Sequence, residues 1–207
     1  MPSTISFRDS IRWIPDEASE PTDTVVLTGG KTGVFLDARF IKGSEELDWA
    51  FAGYRSTVIA EGKELIKFTH LIDSRTKDPS QMTDYGSNTE LPDGTTLEKG
   101  EMVNPATGKM TSYEEIWRDE TFDDGALFLR NVSSTIWYAR IGSWQLALGR
   151  DFSGNFWAFQ AHLLNLKWTT VHSTSDAVKL LPDDTSNWVE GKEVQWNGDQ
   201  WLILEKA

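Results

Sequence analysis

The chain contains no cysteine. Disulfides, thiolate nucleophiles, iron–sulfur clusters and zinc–thiolate sites are therefore excluded. It also lacks an apolar run of the roughly 18 residues that a membrane-spanning helix needs. Its opening, MPSTISFRDSIRW, has neither the basic start nor the apolar stretch of a secretory signal. The expected compartment is the cytosol, with no membrane association. Basic clusters are missing too: 20 Lys and Arg face 32 Asp and Glu, a formal net charge of −12. A phosphate backbone would be repelled, so nucleic acid is not an expected partner. The acidity itself is read as a solubility feature.

Familiar catalytic signatures are equally scarce. No Gly-rich phosphate loop precedes a helix, and GGKTG (29–33) sits between two strand patterns and reads as a turn. HExxH and GxSxG do not occur. The three histidines, His70, His162 and His172, have none of the short spacings that place two ligands on one face of a strand or helix. No metal site and no organic cofactor is expected; an enzyme built on this sequence would work without either.

What is abundant is tryptophan: ten in 207 residues. Each needs a large buried surface and usually a partner for its N–H. Two readings follow, a Trp-rich core or an aromatic-walled pocket with a few placed polar groups. The segment ELDWAFAGYR (46–55) poses the choice most sharply. Trp49 and Phe51 share one side of a strand, Ala50 and Ala52 the other, and the aromatic pair must point into a filled core or a ligand cavity.

Along the chain, short period-two segments alternate with turn signals. TVVLTGGKTGVFLDARF is a hairpin in which Val34, Leu36, Ala38 and Phe40 share one face and Phe35, Asp37 and Arg39 the other. ELIKFTHLI places Ile66, Phe68, His70 and Ile72 together. Residues 76–95, rich in Pro, Gly, Ser and Asp, read as a long lid-like loop. A second polar stretch spans 103–112. Ser112 with Glu115 forms a capping-box pattern for a short helix, and STSDAVKLL (173–181), capped by Ser175 and followed by Pro182, is a second helix candidate. The rest of the second half reads as strands with tight turns, ending in a hairpin at Asn197-Gly198. The class is all-β, with sequential antiparallel hairpins that favour an up-and-down barrel. DWAFAG (48–53) is echoed by FWAFQA (156–161) and EGKELIKF (61–68) by EGKEVQW (190–196). These echoes suggest two related barrel halves, residues 1–108 and 109–207.

Polar groups able to do chemistry sit mainly in the second half. Tyr138 and Arg140 share a strand face and would together hold a carboxylate or polarise a carbonyl. On the next strand pair, Asn155, Trp157, Phe159, Ala161 and Leu163 alternate with Phe156, Ala158, Gln160, His162 and Leu164. Both faces carry apolar residues, so this strand is expected to be covered on both sides, with His162 a candidate acid or base. Asp73 and Glu115 are further carboxyls, read as surface or capping groups. The candidate catalytic set is Arg140, Tyr138 and His162. The candidate substrate-binding set is Trp49, Phe51, Trp117, Trp137, Trp144 and Trp157.

The blocks LDWAFAG (47–53), YEEIW (113–117), RIGSWQLALGR (140–150) and NGDQWLILE (197–205) occur in an order that resembles the fungal Hri family. That family is named for a yeast protein that interacts with a casein kinase, and this chain looks shorter than the yeast type in its loops. The resemblance implies a pair of lipocalin-like, calycin-type barrels, cytosolic and cofactor-free, and no catalytic motif to carry over. Three functions are weighed. The first is a cofactor-independent cyclase or isomerase, a pericyclase of Diels–Alderase type included, acting on an apolar fungal natural-product intermediate held in near-attack geometry. The second is a non-catalytic, kinase-binding interaction protein with Ser80, Thr83 and Ser87 in a phosphorylated docking loop. The third is a passive carrier of an apolar ligand. Catalysis is the leading expectation.

Overall fold

The computed structural model describes every residue except Glu61, Thr83 and Ala177. The chain is all-β. Strands β1 (Ser3–Trp13), β2 (Thr22–Thr28), β3 (Val34–Ile41), β4 (Leu47–Ala60), β5 (Lys63–Asp73), β6 (Tyr85–Glu90), β7 (Thr96–Asn104) and β8 (Lys109–Phe122) follow one another around a closed antiparallel barrel. Pairing of β1 with β8, for example Phe7 opposite Arg118, closes it. Strands β9 (Leu127–Asn131), β10 (Ile136–Ile141), β11 (Trp144–Arg150), β12 (Phe156–Leu164), β13 (Lys167–Ser173), β14 (Glu193–Trp196) and β15 (Asp199–Lys206) form a second sheet of order β13-β12-β11-β10-β9-β15-β14.

The second sheet is open, not a second closed barrel, because β13 and β14 lie at opposite edges. Residue 108 lies in the β7–β8 turn, inside the barrel's own hairpin. The change of sheet comes after β8, at 123–126.

Alternation explains how the layers meet. The outward faces of β2 to β4, including Leu27, Leu36, Phe40 and the small Ala38, Ala50 and Ala52, pack on Phe128, Trp137, Ala139, Leu146 and Ala158 of the second sheet. Alanines let the two sheets approach closely around the large rings. Gln160 stitches this interface, its amide donating to the carbonyl oxygens of Ala38 (2.7 Å) and Asp23 (3.3 Å). The second sheet's far face buries Leu129, Tyr138, Phe159 and Trp201 under the segment at 174–192. Strand β12 is thus covered on both faces.

Both helix candidates fold otherwise. Ser112 and Glu115 lie in β8. The alternation Tyr113, Glu115, Trp117 wins over the local capping pattern because it buries all three side chains. The described part of 173–181 holds no helix (Ala177 lies outside the described residues); it leaves β13 at Ser173 and continues through a bend and a turn as irregular chain. Its polar backbone is satisfied by sheet side chains: the Leu181 N–H donates to Gln145 Oε1 at 2.8 Å, and Arg140 donates to the Pro182 carbonyl at 2.8 Å. The long loop expected at 76–95 contains a 3₁₀ turn (Pro79–Gln81) and then β6, a strand of the barrel wall. On its β5 side, β6 pairs only through Ile66↔Gly86 and Lys67↔Tyr85.

Two hairpin turns match their sequence cues. At Asn197-Gly198 both residues have positive φ (52° and 80°), as a type I′ turn requires. The GGKTG turn is anchored from the far end of the chain: buried Glu205 accepts from the Thr32 N–H (2.8 Å) and the Thr32 hydroxyl (2.6 Å).

Candidate functional site

The inward faces of the barrel strands carry an unusual load of charge. In β3, Phe35, Asp37 and Arg39 point inward because the opposite face is wholly apolar and packs on the second sheet. In β4, Trp49 and Phe51 follow the same rule. The alternation in β5 is broken by a bulge: Ala52 pairs with Ile72 but Gly53 with His70, so Leu71 is the extra residue. Phe68 and His70 therefore face inward, while Ile72 turns out to the interlayer core.

Three linked polar clusters fill the lower barrel. Arg39 places Nε and Nη2 on Asp37 (2.7 Å to Oδ2) and Nη1 on Glu115 (3.4 Å), with its guanidinium 4.9 Å from the Trp49 ring centre. Burial opposes its charge, and Asp37 and Glu115 more than restore it. Arg8 donates to the same Glu115 oxygen at 2.5 Å and to Glu20 at 2.8 Å. His70 lies between Asp73 (Nδ1, 2.8 Å) and Asp84 (Nε2, 3.1 Å) and stacks on Phe51, with ring centres 4.1 Å apart. Burial alone would lower its pKa; the hydrogen bonds to the two carboxylates raise it above the ordinary histidine value. The Trp49 indole N–H donates to Asp73 at 3.1 Å.

The third cluster is Glu98 with Tyr113, whose hydroxyl donates to Glu98 Oε1 at 2.9 Å. Glu98 is 7% exposed, and the nearby guanidiniums of Arg8 and Arg39 are engaged by other carboxylates. Burial, then the charges of Glu115 and Asp84, push its pKa up to about 8. Burial, then the charges of Glu98, Glu115 and Asp84, drive the Tyr113 phenol up as well. Room for the pair is cleared by two glycines facing each other in β6 and β7: a Cβ on Gly86 would stand 2.7 Å from Glu98 Cγ, and one on Gly100 2.5 Å from Tyr113 Oη.

These groups surround a cavity of about 100 Å³. Phe35, Phe51, Phe68 and Trp117 form its apolar wall, Asp37, Glu98, Glu115, Arg39 and Arg55 its polar one, and the exposed Asn88 and Asp119 also line it. The Trp117 indole N–H is buried and has no hydrogen-bond partner among the described residues.

Of the nine side chains singled out from the sequence, Trp49, Phe51 and Trp117 lie in this interior. The other six lie elsewhere. Trp137 is fully buried between barrel and sheet. Trp144 packs at the edge of that layer against Phe7, and His162 stacks on it with ring centres 4.4 Å apart. Tyr138, Arg140 and Trp157 belong to the opposite face of the second sheet. Tyr138 is packed edge-on against Trp196 and Trp201, and Arg140 holds the covering segment through Pro182 and Thr185. His162 thus faces the barrel side of the sheet, away from Tyr138 and Arg140, and the three do not converge. Of the loop hydroxyls, Ser80 is exposed and donates to Asp78 (2.5 Å), Ser87 lies in β6, and Thr83 lies outside the described residues.

The interior carboxyls went unrecognised for a physical reason. An alternating strand with a charged face normally exposes that face; in a barrel packed on another sheet, the apolar face is the outer one.

Glu98→Gln is expected to stabilise the protein. A carboxyl whose folded pKa is raised loses stability as pH climbs from its unfolded value of about 4.5 towards about 8, because only the unfolded chain ionises freely. The gap between variant and wild type should widen through that window in urea unfolding curves. A gap that is flat with pH, or a variant less stable than wild type at neutral pH, would refute this account of Glu98.

Among the described residues, no helix is long and apolar enough to cross a membrane, and no group of three or more His, Asp or Glu side chains is arranged to hold a metal ion. No curated protein sequence matches the chain. A crystal structure of an uncharacterized Saccharomyces cerevisiae protein, YLR301w, superposes with a TM-score of 0.78 at 18% identity, covering 99% of each chain. Relative to that yeast chain this one is not shortened. At that identity the match speaks for the fold alone. The profile of the family described as Protein HRI1 matches residues 4–205, nearly the whole sequence, and the chain belongs to the HRI1 family.

Proposed function

We propose that this protein binds a small organic molecule inside the barrel β1–β8 and acts on it as a cofactor-independent isomerase or cyclase in the cytosol, with Glu98 moving the proton. The observation that supports this most directly is a buried carboxyl beside an aromatic-walled cavity. It is hydrogen-bonded to Tyr113, forms no ion pair among the described residues, and has its pKa pushed up to about 8, near the pH at which an acid–base group is most useful. Trp117, with its unpartnered N–H, supplies a donor to a ligand carbonyl or hydroxyl. A cavity of about 100 Å³ is small beside the several hundred that drug-sized ligands occupy. The ligand is therefore compact, or only its reacting end enters.

A passive carrier is the second reading. It draws on Arg39, whose Nε, Nη1 and Nη2 are already engaged by Asp37 and Glu115.

The test is to delete the gene in its native host and restore it with wild-type or Glu98→Gln chain. Mass spectrometry of extracts should show one metabolite vanish and an isomer of equal mass accumulate. Wild type should restore the profile and Glu98→Gln should not. An unchanged profile on deletion removes the enzyme reading, and full rescue by Glu98→Gln removes Glu98 from it.

A further inference from the structure

The barrel interior has more carboxyls than it has cations to match them. Arg8 and Arg39 are balanced by Glu20, Asp37 and Glu115, which leaves one carboxylate in excess. His70, even when protonated, lies between Asp73 and Asp84, which leaves a second. Among the described residues Glu98 forms no ion pair: Arg39, which faces it, is engaged by Asp37 and Glu115, and Arg55 of β4 is the other guanidinium lining the cavity, so the carboxyls still outnumber the cations. Glu98 is 7% exposed, and its one side-chain hydrogen bond comes from Tyr113. The wall opposite is aromatic, with Phe35, Phe51, Phe68 and Trp117 around the same space. Carboxylates across from aromatic faces in a cavity with low-dielectric walls form a trap for a positive charge on an apolar body. A second, independent feature also points to a ligand: the Trp117 side chain, 8% exposed, lines the cavity, and its buried N–H has no acceptor among the described residues. A buried donor left unpaired is costly, and an acceptor on a bound molecule would satisfy it.

We infer that the ligand of the barrel is a compact organic cation, an aromatic or alkyl amine carrying a hydrogen-bond acceptor, whose ammonium group pairs with Glu98 and whose acceptor meets the Trp117 N–H. The inference rests on the reading of the barrel interior as the ligand site and gives that ligand its charge. It also couples binding to a proton. The groups facing Glu98 are Tyr113 and Glu115 from β8, Asp84 from the segment before β6, and Arg39 from β3; β6 sets Gly86 against it, and Asp37 of β3, Arg55 of β4, Asn88 of β6 and Asp119 of β8 line the same cavity. Burial, Glu115 and Asp84 keep Glu98 neutral at physiological pH. An ammonium group beside it favours the carboxylate, so the carboxyl proton leaves to water as the cation binds. The bound ligand thereby turns Glu98 from an acid into a base, ready to accept a proton from the molecule that ionised it.

Three probes of one size separate the possibilities: benzylamine, benzyl alcohol and benzoate, titrated into the full chain by calorimetry in buffers of different ionisation enthalpy. Benzylamine should bind about tenfold or more tightly than benzyl alcohol, the scale of a charge-assisted hydrogen bond, and benzoate weakest. At about pH 7, benzylamine should release close to one proton, falling towards none as the pH passes about 8. In Glu98→Gln, proton release should vanish and the amine's advantage over the alcohol should collapse, while the alcohol still binds. Benzyl alcohol or benzoate binding as tightly as the amine would overturn the cation inference and leave the barrel site standing. Amine binding without proton release and unaffected by Glu98→Gln would also overturn it, marking mere attraction to an acidic surface. No binding of any of the three would overturn both the inference and the ligand-site reading.

Discussion

Glu115→Ala is expected to lower the unfolding free energy by about 3–5 kcal/mol, the loss of two charge-assisted hydrogen bonds at about 1.5–3 kcal/mol each. Glu115 is 1% exposed and accepts from Arg8 of β1 (2.5 Å) and Arg39 of β3 (3.4 Å) while belonging to β8. One carboxylate thus ties the closing seam of the barrel to its opposite wall. Without it, Arg8 retains Glu20 and Arg39 retains Asp37, but two guanidiniums then face each other across a gap that holds no negative charge. Glu115→Gln should cost clearly less, because an amide oxygen still accepts from the nearer guanidinium. Arg8→Met together with Glu115→Leu should cost less than the sum of the separate changes, since the Arg8–Glu115 contact is lost only once; Glu20 loses Arg8 equally in the single and the double change. Urea unfolding followed by tryptophan fluorescence measures all three. A loss below about 1 kcal/mol for Glu115→Ala, the level of an exposed ion pair, would show that the network is solvated and not the brace described here.

The second large effect is placed at Trp137, where sequence reasoning saw a pocket wall. The side chain is fully buried among Leu36, Leu148 and Phe128 in the layer between barrel and sheet, with Tyr54 edge-on at 6.4 Å. Trp137→Ala should cost about 3–5 kcal/mol, transfer energy plus the cavity left behind. Its indole N–H has no partner among the described residues, so Trp137→Phe forfeits volume and no hydrogen bond and should cost much less. Neither variant should change the affinity of a ligand held inside the barrel, because Trp137 lies on the other side of the wall. Calorimetric unfolding and ligand titration on the same samples separate the two roles. A stable Trp137→Ala that binds ligand differently would return this residue to the site.

The contrast between Trp137 and Trp117 shows where reading the sequence stops. Both are tryptophans on amphipathic strands, and nothing local distinguishes a ring pressed between two sheets from one that lines a cavity. Trp49 and Phe51 were separated correctly from Ala50 and Ala52 by period two alone, yet period two does not say which side is the inside of a barrel. Arg39 and Asp37 look like the exposed face of an ordinary strand; they are inside because Val34, Leu36, Ala38 and Phe40 find a better apolar partner in the second sheet than the barrel interior provides. Glu115 was obscured by a capping pattern of local origin, and Ile72 by a bulge at Leu71 that no residue in ELIKFTHLI announces. Tyr138, Arg140 and His162 do not converge because the strand register sets His162 opposite Trp144 and Ile141, on the alternate face of the sheet from Tyr138 and Arg140.

The sequence by itself determined the all-β class, the hairpins at GGKTG and Asn197-Gly198, the sides of most strands, and the family, because these depend on local backbone preference and on side-chain alternation within one strand. Tertiary structure alone decided that the first eight strands close while the last seven stay open, and which face of each strand turns inward. It also decided that Glu98 sits beside a cavity, hydrogen-bonded to Tyr113 and without an ion pair among the described residues. Those outcomes depend on pairing between residues far apart in the chain, such as Phe7 with Arg118 and Arg8 with Glu115, and on the choice each apolar face makes among all the surfaces available to cover it.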